Sequence, residues 1–288
     1  MNSLLIRAAR PSDLPAISPL MEPFVARGEL LPRSLEELSN LLPQAFVAEM
    51  DGRVAGFAAL EIYSKKLAEI HCLSFETTAA GVEIARWVVQ ACVQRAREQT
   101  VLEVLAIVSP VLEQVLKTCG FDYSLPNQKR ALFLRADHVQ PIHDPHAAAG
   151  PARGVDIRDA TERDLPTVQE FLAPFVARGE LLPRGPDELS DLLRHAFIAE
   201  LDGRIVGFAA LEIYSPKLAE IQCLSVRQGY QGHGIGRRLV GLCVGRARQH
   251  QVAETMGISS KDEFFIACGF DYCLSGPKMA LFLRTRDH

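Results

Sequence analysis

The run Gln231-Gly232-His233-Gly234-Ile235-Gly236 places three glycines at alternate positions just ahead of the segment GIGRRLVGLCVGRARQH. A glycine has no Cβ, so the backbone can turn tightly and approach another group closely. N–H groups exposed in such a turn, beside the positive end of a helix, suit phosphate oxygens. The turn reads equally as a bend between a strand and a helix. A dinucleotide-binding fingerprint fits less well, because that motif opens a βαβ unit and expects an acidic residue after the next strand. Here the glycines follow several strand-like runs.

Those runs are the elements that must position the turn. VDIRDA reads as a strand, and TERD starts a helix with Thr161 as its N-cap. A second helix covers PDELSDLLRHA, and AFIAELDGRIVGFAALEIY is two strands joined at Asp202-Gly203, a dipeptide suited to a hairpin turn. KLAEIQCLSV is the next strand. In the helix after the glycines, Ile235, Leu239, Leu242, Cys243 and Val244 gather on one side. VAETMGIS is a strand, DEFFIACG a short helix ended by Gly269, and MALFLR a last strand. The order βααβββαβαβ mixes hairpins with helical crossovers. It predicts an α/β (α+β) fold with a mixed, mostly antiparallel sheet flanked by helices.

The same unit is written twice. PFVARGELLPR stands at residues 23–33 and 174–184, GFAALEIYS at 56–64 and 207–215, and KLAEI at 66–70 and 217–221. CGFDY and ALFLR also recur. The spacing is too long for a solenoid repeat, so each copy is expected to be a domain: 1–138 and 154–288, joined by a Pro-, Ala-, Gly- and His-rich linker at 139–153. His138, His143 and His146, at or near this linker, are either solvated or a metal site. The first copy lacks the glycine pattern. Ala80, Glu83 and Ala85 stand where the second copy has Gln231, Gly234 and Gly236.

With these elements in order, Gln231–Gly236 matches the Q/R-x-x-G-x-G/A signature, and the second copy resembles the GCN5-related N-acetyltransferases (GNAT). The first copy resembles them in degraded form. Within that superfamily each half is most similar to the acetyltransferase domain of N-acetylglutamate synthases, through Gly179–Arg184, the strand Ala219–Val226 and the segment Phe265–Phe270. The amino-acid kinase domain that many such synthases carry is absent from this sequence.

The resemblance implies that Leu224, Val226, Gln231, Gly232, His233, Gly234, Ile235, Gly236 and Arg237 bind acetyl-CoA, the co-substrate, with the pyrophosphate in the loop. His233 serves mainly as a spacer, and Arg237 and Arg238 either meet CoA phosphates or are solvated. Backbone N–H groups near Cys223 and Leu224 would serve as oxyanion donors. Glu220 takes the part of general base; the alternative is a salt-bridged or solvated strand-end glutamate. Tyr272 is the nearest candidate acid for the leaving thiolate, or a core tyrosine, since Phe265 occupies the place of the usual tyrosine. Leu182 and Arg184 would bind the carboxylate of an amino-acid acceptor; otherwise Arg184 is a surface arginine entering a helix. Glu83 would set a carboxylate against pyrophosphate, so the first copy is expected not to bind acetyl-CoA.

The implied function is N-acetyl transfer to a small amine, an amino acid foremost, by the second copy, with a structural or regulatory first copy. Alternatives are a ligand sensor and a protein N-acetyltransferase. The bulk properties are those of a soluble globular protein. The chain has 288 residues, 48% hydrophobic and 23% charged, with a net charge of −4. A mild acidic balance gives no reason to expect nucleic acid or a membrane surface as partner. No apolar run has signal-peptide or membrane-spanning character. The seven cysteines lack zinc-type spacing, so no metal is expected and the compartment is expected to be the cytoplasm, with thiols reduced. Pairing between the two domains is a further possibility.

Overall fold

A computed structural model describes residues 4–78, 80–125, 129–135, 154–272 and 279–285. The elements of the first copy are β1 (Leu4–Ala8), α1 (Leu14–Ala26), α2 (Leu35–Leu41), β2 (Ala45–Met50), β3 (Arg53–Ile62), β4 (Leu67–Phe75), α3 (Gly81–Glu98), β5 (Glu103–Val108), α4 (Pro110–Thr118), β6 (Ser124–Leu125) and β7 (Lys129–Arg135). Those of the second are β8 (Asp156–Asp159), α5 (Leu165–Ala177), α6 (Pro186–Leu193), β9 (Ala196–Leu201), β10 (Arg204–Ile213), β11 (Leu218–Val226), α7 (Ile235–Gln249), β12 (Glu254–Ser259), α8 (Asp262–Ala267) and β13 (Met279–Arg284). The expected order and fold class are present in both copies.

The compact units are not the contiguous halves expected from the repeat. One gathers the described residues up to Lys129 together with β13; the other gathers those from Arg130 to Tyr272. In the first, the sheet runs β1-β2-β3-β4-β5-β13, and in the second β7-β12-β11-β10-β9-β8. Each copy therefore gives its last strand to the other copy's sheet. Ala280 pairs with Ile107, and Ala131 pairs with Ile258, both antiparallel. The linker of 139–153 and its histidines lie outside the described residues.

In the second unit the sheet is buried on both faces. Ile235, Leu239, Val240, Cys243 and Val244 of α7 pack on one face with Phe265 and Phe270. Phe171, Leu172, Leu189 and Leu192 of α5 and α6 cover the other. Leu242, expected on the buried side of α7, is 39% exposed and lies outside this packing. Its angular position falls beyond the edge of the apolar stripe. Asp202 and Gly203 both have positive φ (50° and 71°), the twist that a two-residue hairpin requires. A 3₁₀ turn at Glu162–Asp164 precedes α5, so Thr161 caps that turn rather than the α-helix itself. Asp164 accepts from the Thr161 backbone N–H at 2.8 Å.

Two features of the second sheet prepare a site. The β11–β12 ladder is parallel and runs only from Leu218↔Glu254 to Ile221↔Gly257, while β11 continues to Val226. The two strands thus part halfway along. At the point of parting, the register of β10 with β11 shifts between Phe208 and Ala210, which inserts an extra residue into β11. Cys223 takes φ +55° there, a β-bulge that turns the local peptide groups out of the regular ladder.

Candidate functional site

The glycine turn lies beyond the end of β11. Gly232 has φ +80°, with open space where a Cβ would stand. Gly234 has φ +75° and is the N-cap of α7. Gln231 closes the turn by donating from Nε2 to the carbonyl of Val226 at 3.0 Å. His233 is exposed. Ile235 is 1% exposed and belongs to the core, so it anchors α7 to the sheet. Gly236 is kept small by packing: a Cβ there would stand 3.3 Å from Phe264. Leu224 and Val226 are half-buried and pack at the margin of the same core. Arg237 is half-buried in the first turn of α7.

The first unit has no such turn. Its helix α3 begins at Gly81, the counterpart of Gly232, whereas α7 begins at Ile235. Almost a full helical turn fills the place of the loop, and the N–H of Ile84 bonds to the carbonyl of Ala80. Glu83 is exposed on this extra turn and ion-paired with Arg86 at 2.5 Å. Gly81 is retained because a Cβ would stand 2.3 Å from the carbonyl oxygen of Glu76.

On the opposite face of the second sheet, under α5 and α6, lies a chain of polar groups. Glu220, 2% exposed, pairs across the sheet with Glu212. Tyr214 donates its hydroxyl to Glu220 Oε2 at 2.6 Å and lies 3.2 Å from Glu212 Oε2. The Gln222 amide donates to Glu212 at 3.0 Å, and its oxygen accepts from Arg184 Nη2 at 2.8 Å. Burial, then the charges of Glu220 and Glu212, push the Tyr214 phenol well above the ordinary tyrosine value, which keeps it a donor. Burial opposes the Arg184 charge, but Cys223, Glu212, Glu220 and Tyr214 outweigh it and leave the guanidinium pKa raised. Arg184 and the half-buried Leu182 stand on the connection between α5 and α6. The fold therefore brings the repeated PFVARGELLPR segment against the strand glutamates.

Tyr272 takes a different course. Its hydroxyl donates to Asp262 at 2.7 Å, and the Arg130 guanidinium lies 5.8 Å from its ring centroid. The hydrogen bond to Asp262, then burial, raises its pKa. Phe265 is 4% exposed and presses on Gly257, where any Cβ would stand 2.3 Å from its ring. The first unit has Ala106 and Leu116 at these two places, a larger residue on the strand matched by a slimmer one on the helix.

Sequence reasoning passed over Glu212, Tyr214 and Gln222. A signal was present: aligning GFAALEIYS with KLAEI as antiparallel neighbours sets Glu212 opposite Glu220, with the tyrosine two residues on. Among the described residues, no group of three or more His, Cys, Asp or Glu is arranged to hold a metal ion. No described helix is long and apolar enough to cross a membrane.

Comparison with known proteins bears on this geometry. The model of the acetyltransferase (GNAT) family matches residues 17–121 and again 162–270. An uncharacterized N-acetyltransferase of Chlorobaculum tepidum is 28% identical over 120 residues, 42% of this chain and 77% of that protein. An amino-acid acetyltransferase of Neisseria meningitidis serogroup A is 31% identical over 118 residues, 40% of this chain but only 27% of that protein. Among solved structures, a GCN5-related N-acetyltransferase from Sphaerobacter thermophilus aligns over 99% of this chain and 96% of its own, with a TM-score of 0.60 and 17% identity. A tandem GNAT protein from the clavulanic acid biosynthesis pathway aligns over 99% and 100%, with a TM-score of 0.51 and 16% identity. At these identities, both structures bear on the fold alone.

Proposed function

Because the chain belongs to the acetyltransferase (GNAT) family, and is by that membership an N-acetyltransferase, we propose that its second unit acetylates the amine of a small, amino-acid-like acceptor and that its first unit has no acetyl-CoA site. One observation carries this reading. In the second unit an open glycine turn, a parted pair of strands and a partly buried carboxylate–tyrosine–arginine chain occur together, and in the first unit the turn is helix.

Acetyl-CoA supplies the acetyl group as an activated thioester. The donors of the Gly232–Gly236 turn and the N-terminus of α7 suit its pyrophosphate, with Gln231 holding the turn closed and Arg237 beside it. Leu224 and Val226, where β11 runs free of β12, line the path of the pantetheine. Peptide N–H groups turned by the Cys223 bulge are the donors for the carbonyl oxygen as it gains charge. Glu220 takes a proton from the acceptor ammonium, and Tyr214 fixes that carboxylate through Oε2. The free amine then attacks the thioester carbon; a C–N bond forms, the C–S bond breaks, and the thiolate takes up a proton. Tyr272 is the candidate acid for that last proton. Arg184, with Leu182 beside it, receives the acceptor carboxylate. The names of the amino-acid acetyltransferase relatives support an amino acid as acceptor.

The test is thiol release from acetyl-CoA against the common amino acids and simple amines. Turnover with an α-amino acid, lost in Glu220→Gln, is the expected result. No amine-dependent release with any member would overturn the reading.

A further inference from the structure

The first unit keeps the polar chain of the second with one exchange. Glu61, Tyr63 and Glu69 stand where the second unit has Glu212, Tyr214 and Glu220, and His71 replaces Gln222. Tyr63 donates to Glu69 at 2.7 Å, and Glu69 is 1% exposed. His71 Nε2 lies 2.9 Å from Glu61 Oε2 and 3.2 Å from the Tyr63 hydroxyl. Its hydrogen bond is the chief cause that holds the Glu61 carboxyl below the usual range, and the charge of Arg33 adds to the effect.

The exchange changes what the arginine does. In the second unit the glutamine amide joins both sides, accepting from Arg184 and donating to Glu212. In the first, the imidazole nitrogen turns to Glu61, and Arg33 pairs instead with Glu37 at 3.4 Å, a contact between an exposed helix residue and a guanidinium 21% exposed. An ion pair of that kind is weak and easily exchanged. The charge of Arg33 still reaches Glu61, but its guanidinium is not tied to the strand as that of Arg184 is.

A second observation points the same way. The register pairs Glu61 with Glu69, Ala59 with His71 and, past the bulge at Cys72, Phe57 with Ser74. Residues 57, 59 and 61 share one face of β3, so Glu69, His71 and Ser74 share the matching face of β4. Ser74 is fully buried there, and its hydroxyl has no hydrogen-bond partner. Its counterpart Ser225 is likewise buried with an unpartnered hydroxyl, so this face of the strand carries the same feature in both units.

We infer that the first unit holds a second, non-reacting site for an amino-acid zwitterion, with the carboxylate on Arg33 and the ammonium on Glu61 and Glu69. The helix that fills the phosphate turn blocks acetyl-CoA but leaves this opposite face of the sheet intact. The site binds and does not react, because no acetyl donor reaches it. The inference borrows its acceptor class from the proposed function of the second unit, and the experiment separates the two.

The full chain is titrated calorimetrically, without acetyl-CoA, against each of the twenty common L-amino acids, with acetate and methylamine as controls. Two sites per chain are expected for the preferred amino acid. Arg184→Ala removes one and Arg33→Ala the other, each weakening its site by about tenfold or more. Arg33→Lys keeps the charge and loses the fork; it is expected to bind at least about threefold more weakly than the parent, with circular dichroism unchanged. A single site abolished by Arg184→Ala and untouched by both Arg33 variants overturns the inference and leaves the proposed function standing. A site abolished by Arg33→Ala but indifferent to Arg184→Ala supports the inference and counts against the acceptor assignment in the second unit. No binding to the Arg184→Ala chain, with wild-type turnover intact, also overturns the inference.

Discussion

Tyr214 gives its hydroxyl hydrogen to Glu220 across 2.6 Å, and Glu212, which pairs with Glu220 across the sheet, lies 3.2 Å from the same hydroxyl. Glu220 is buried and Tyr214 half-buried, and the tyrosine's own pKa is raised by desolvation and by the two carboxylates. A phenol that stays protonated is a rigid donor. It fixes the rotamer of the glutamate proposed as base.

Two substitutions separate base from holder. Glu220→Gln is expected to lower kcat by about 10²–10⁴-fold, the usual contribution of a positioned base, with the KM for acetyl-CoA little changed. Tyr214→Phe keeps the ring and removes the donor; a smaller loss of kcat, about tenfold, is expected because the base survives but loses its support. Steady-state kinetics on both variants checks this. Equal losses would make Tyr214 more than a holder, and no loss in Glu220→Gln would remove the base assignment.

Arg184→Ala is expected to raise the KM for the acceptor by about ten- to a hundredfold and to leave the KM for acetyl-CoA unchanged, since a bidentate carboxylate contact is lost far from the glycine turn. Methyl-esterified acceptor offers a cross-check. It is expected to be a poor substrate for the parent protein and nearly indifferent to the substitution.

Gly234 stands at φ +75° as the N-cap of α7, and Glu83 is its counterpart on the extra helical turn of α3. Gly234→Glu is expected to abolish acetyl-CoA binding while the chain stays folded. Gly234→Ala separates the causes: it carries the left-handed backbone cost of about 1–2 kcal/mol without the carboxylate. Calorimetry with acetyl-CoA on folded variants decides. Unchanged affinity in Gly234→Glu would end the assignment of this turn to pyrophosphate.

How much of this was legible follows from the range of the forces involved. The Asp202-Gly203 hairpin and the glycine turn are local: a few residues demand positive φ, and the residue types say so. Element order followed from hydrophobic period in the same way. The destination of the last strands was not local. ALFLR is identical at 131–135 and 280–284, so either strand satisfies either sheet, and nothing in its side chains chooses between them. The Cys223 bulge was hidden for another reason. A cysteine at φ +55° carries no turn signal, because tertiary pairing imposes the conformation. Glu220 and Arg184 were legible as types, but the link between them runs through Gln222 and Tyr214, which only the register of β10 against β11 brings together.

Stability should depend on pH through a pair that repeats in both units. Arg158 bonds Asp164 at 2.7 Å and Glu200 at 2.9 Å, tying β8 to β9 and to the start of α5; Arg7, Asp13 and Glu49 do the same in the first unit. The hydrogen bonds from these arginines are the largest cause lowering the pKa of Asp164 and of Asp13. A carboxyl depressed in the folded state contributes stability that is fully present above its unfolded pKa, about 3.9, and is lost as the pH falls toward the folded value. Asp164→Asn is therefore expected to cost about 1–2 kcal/mol at pH 7, discounted for the partly exposed arginine, and progressively less below about pH 4. Urea denaturation across that range is the measurement. A cost independent of pH would show that the carboxylate charge contributes nothing.

The exchanged strands make the strongest claim about how the chain folds. β13 closes the first sheet against β5 over Met279↔Val108 to Arg284↔Glu103, and β7 closes the second against β12 over Glu254↔Arg135 to Ser259↔Arg130. Cutting the chain within 139–153 thus leaves each fragment holding the strand that the other needs. Residues 1–143 and 149–288, expressed together, are expected to co-purify as a one-to-one complex that retains activity. Either fragment alone must refill its vacated edge with its own strand or with that of a second copy, because an open strand edge invites pairing. The identical ALFLR makes both routes available, so each fragment alone is expected to form dimers or larger species rather than a stable monomer. Size-exclusion chromatography with light scattering reads the outcome directly. Two monomeric, independently stable fragments with no affinity for one another would show that each copy keeps its own last strand, and the exchange would have to be abandoned.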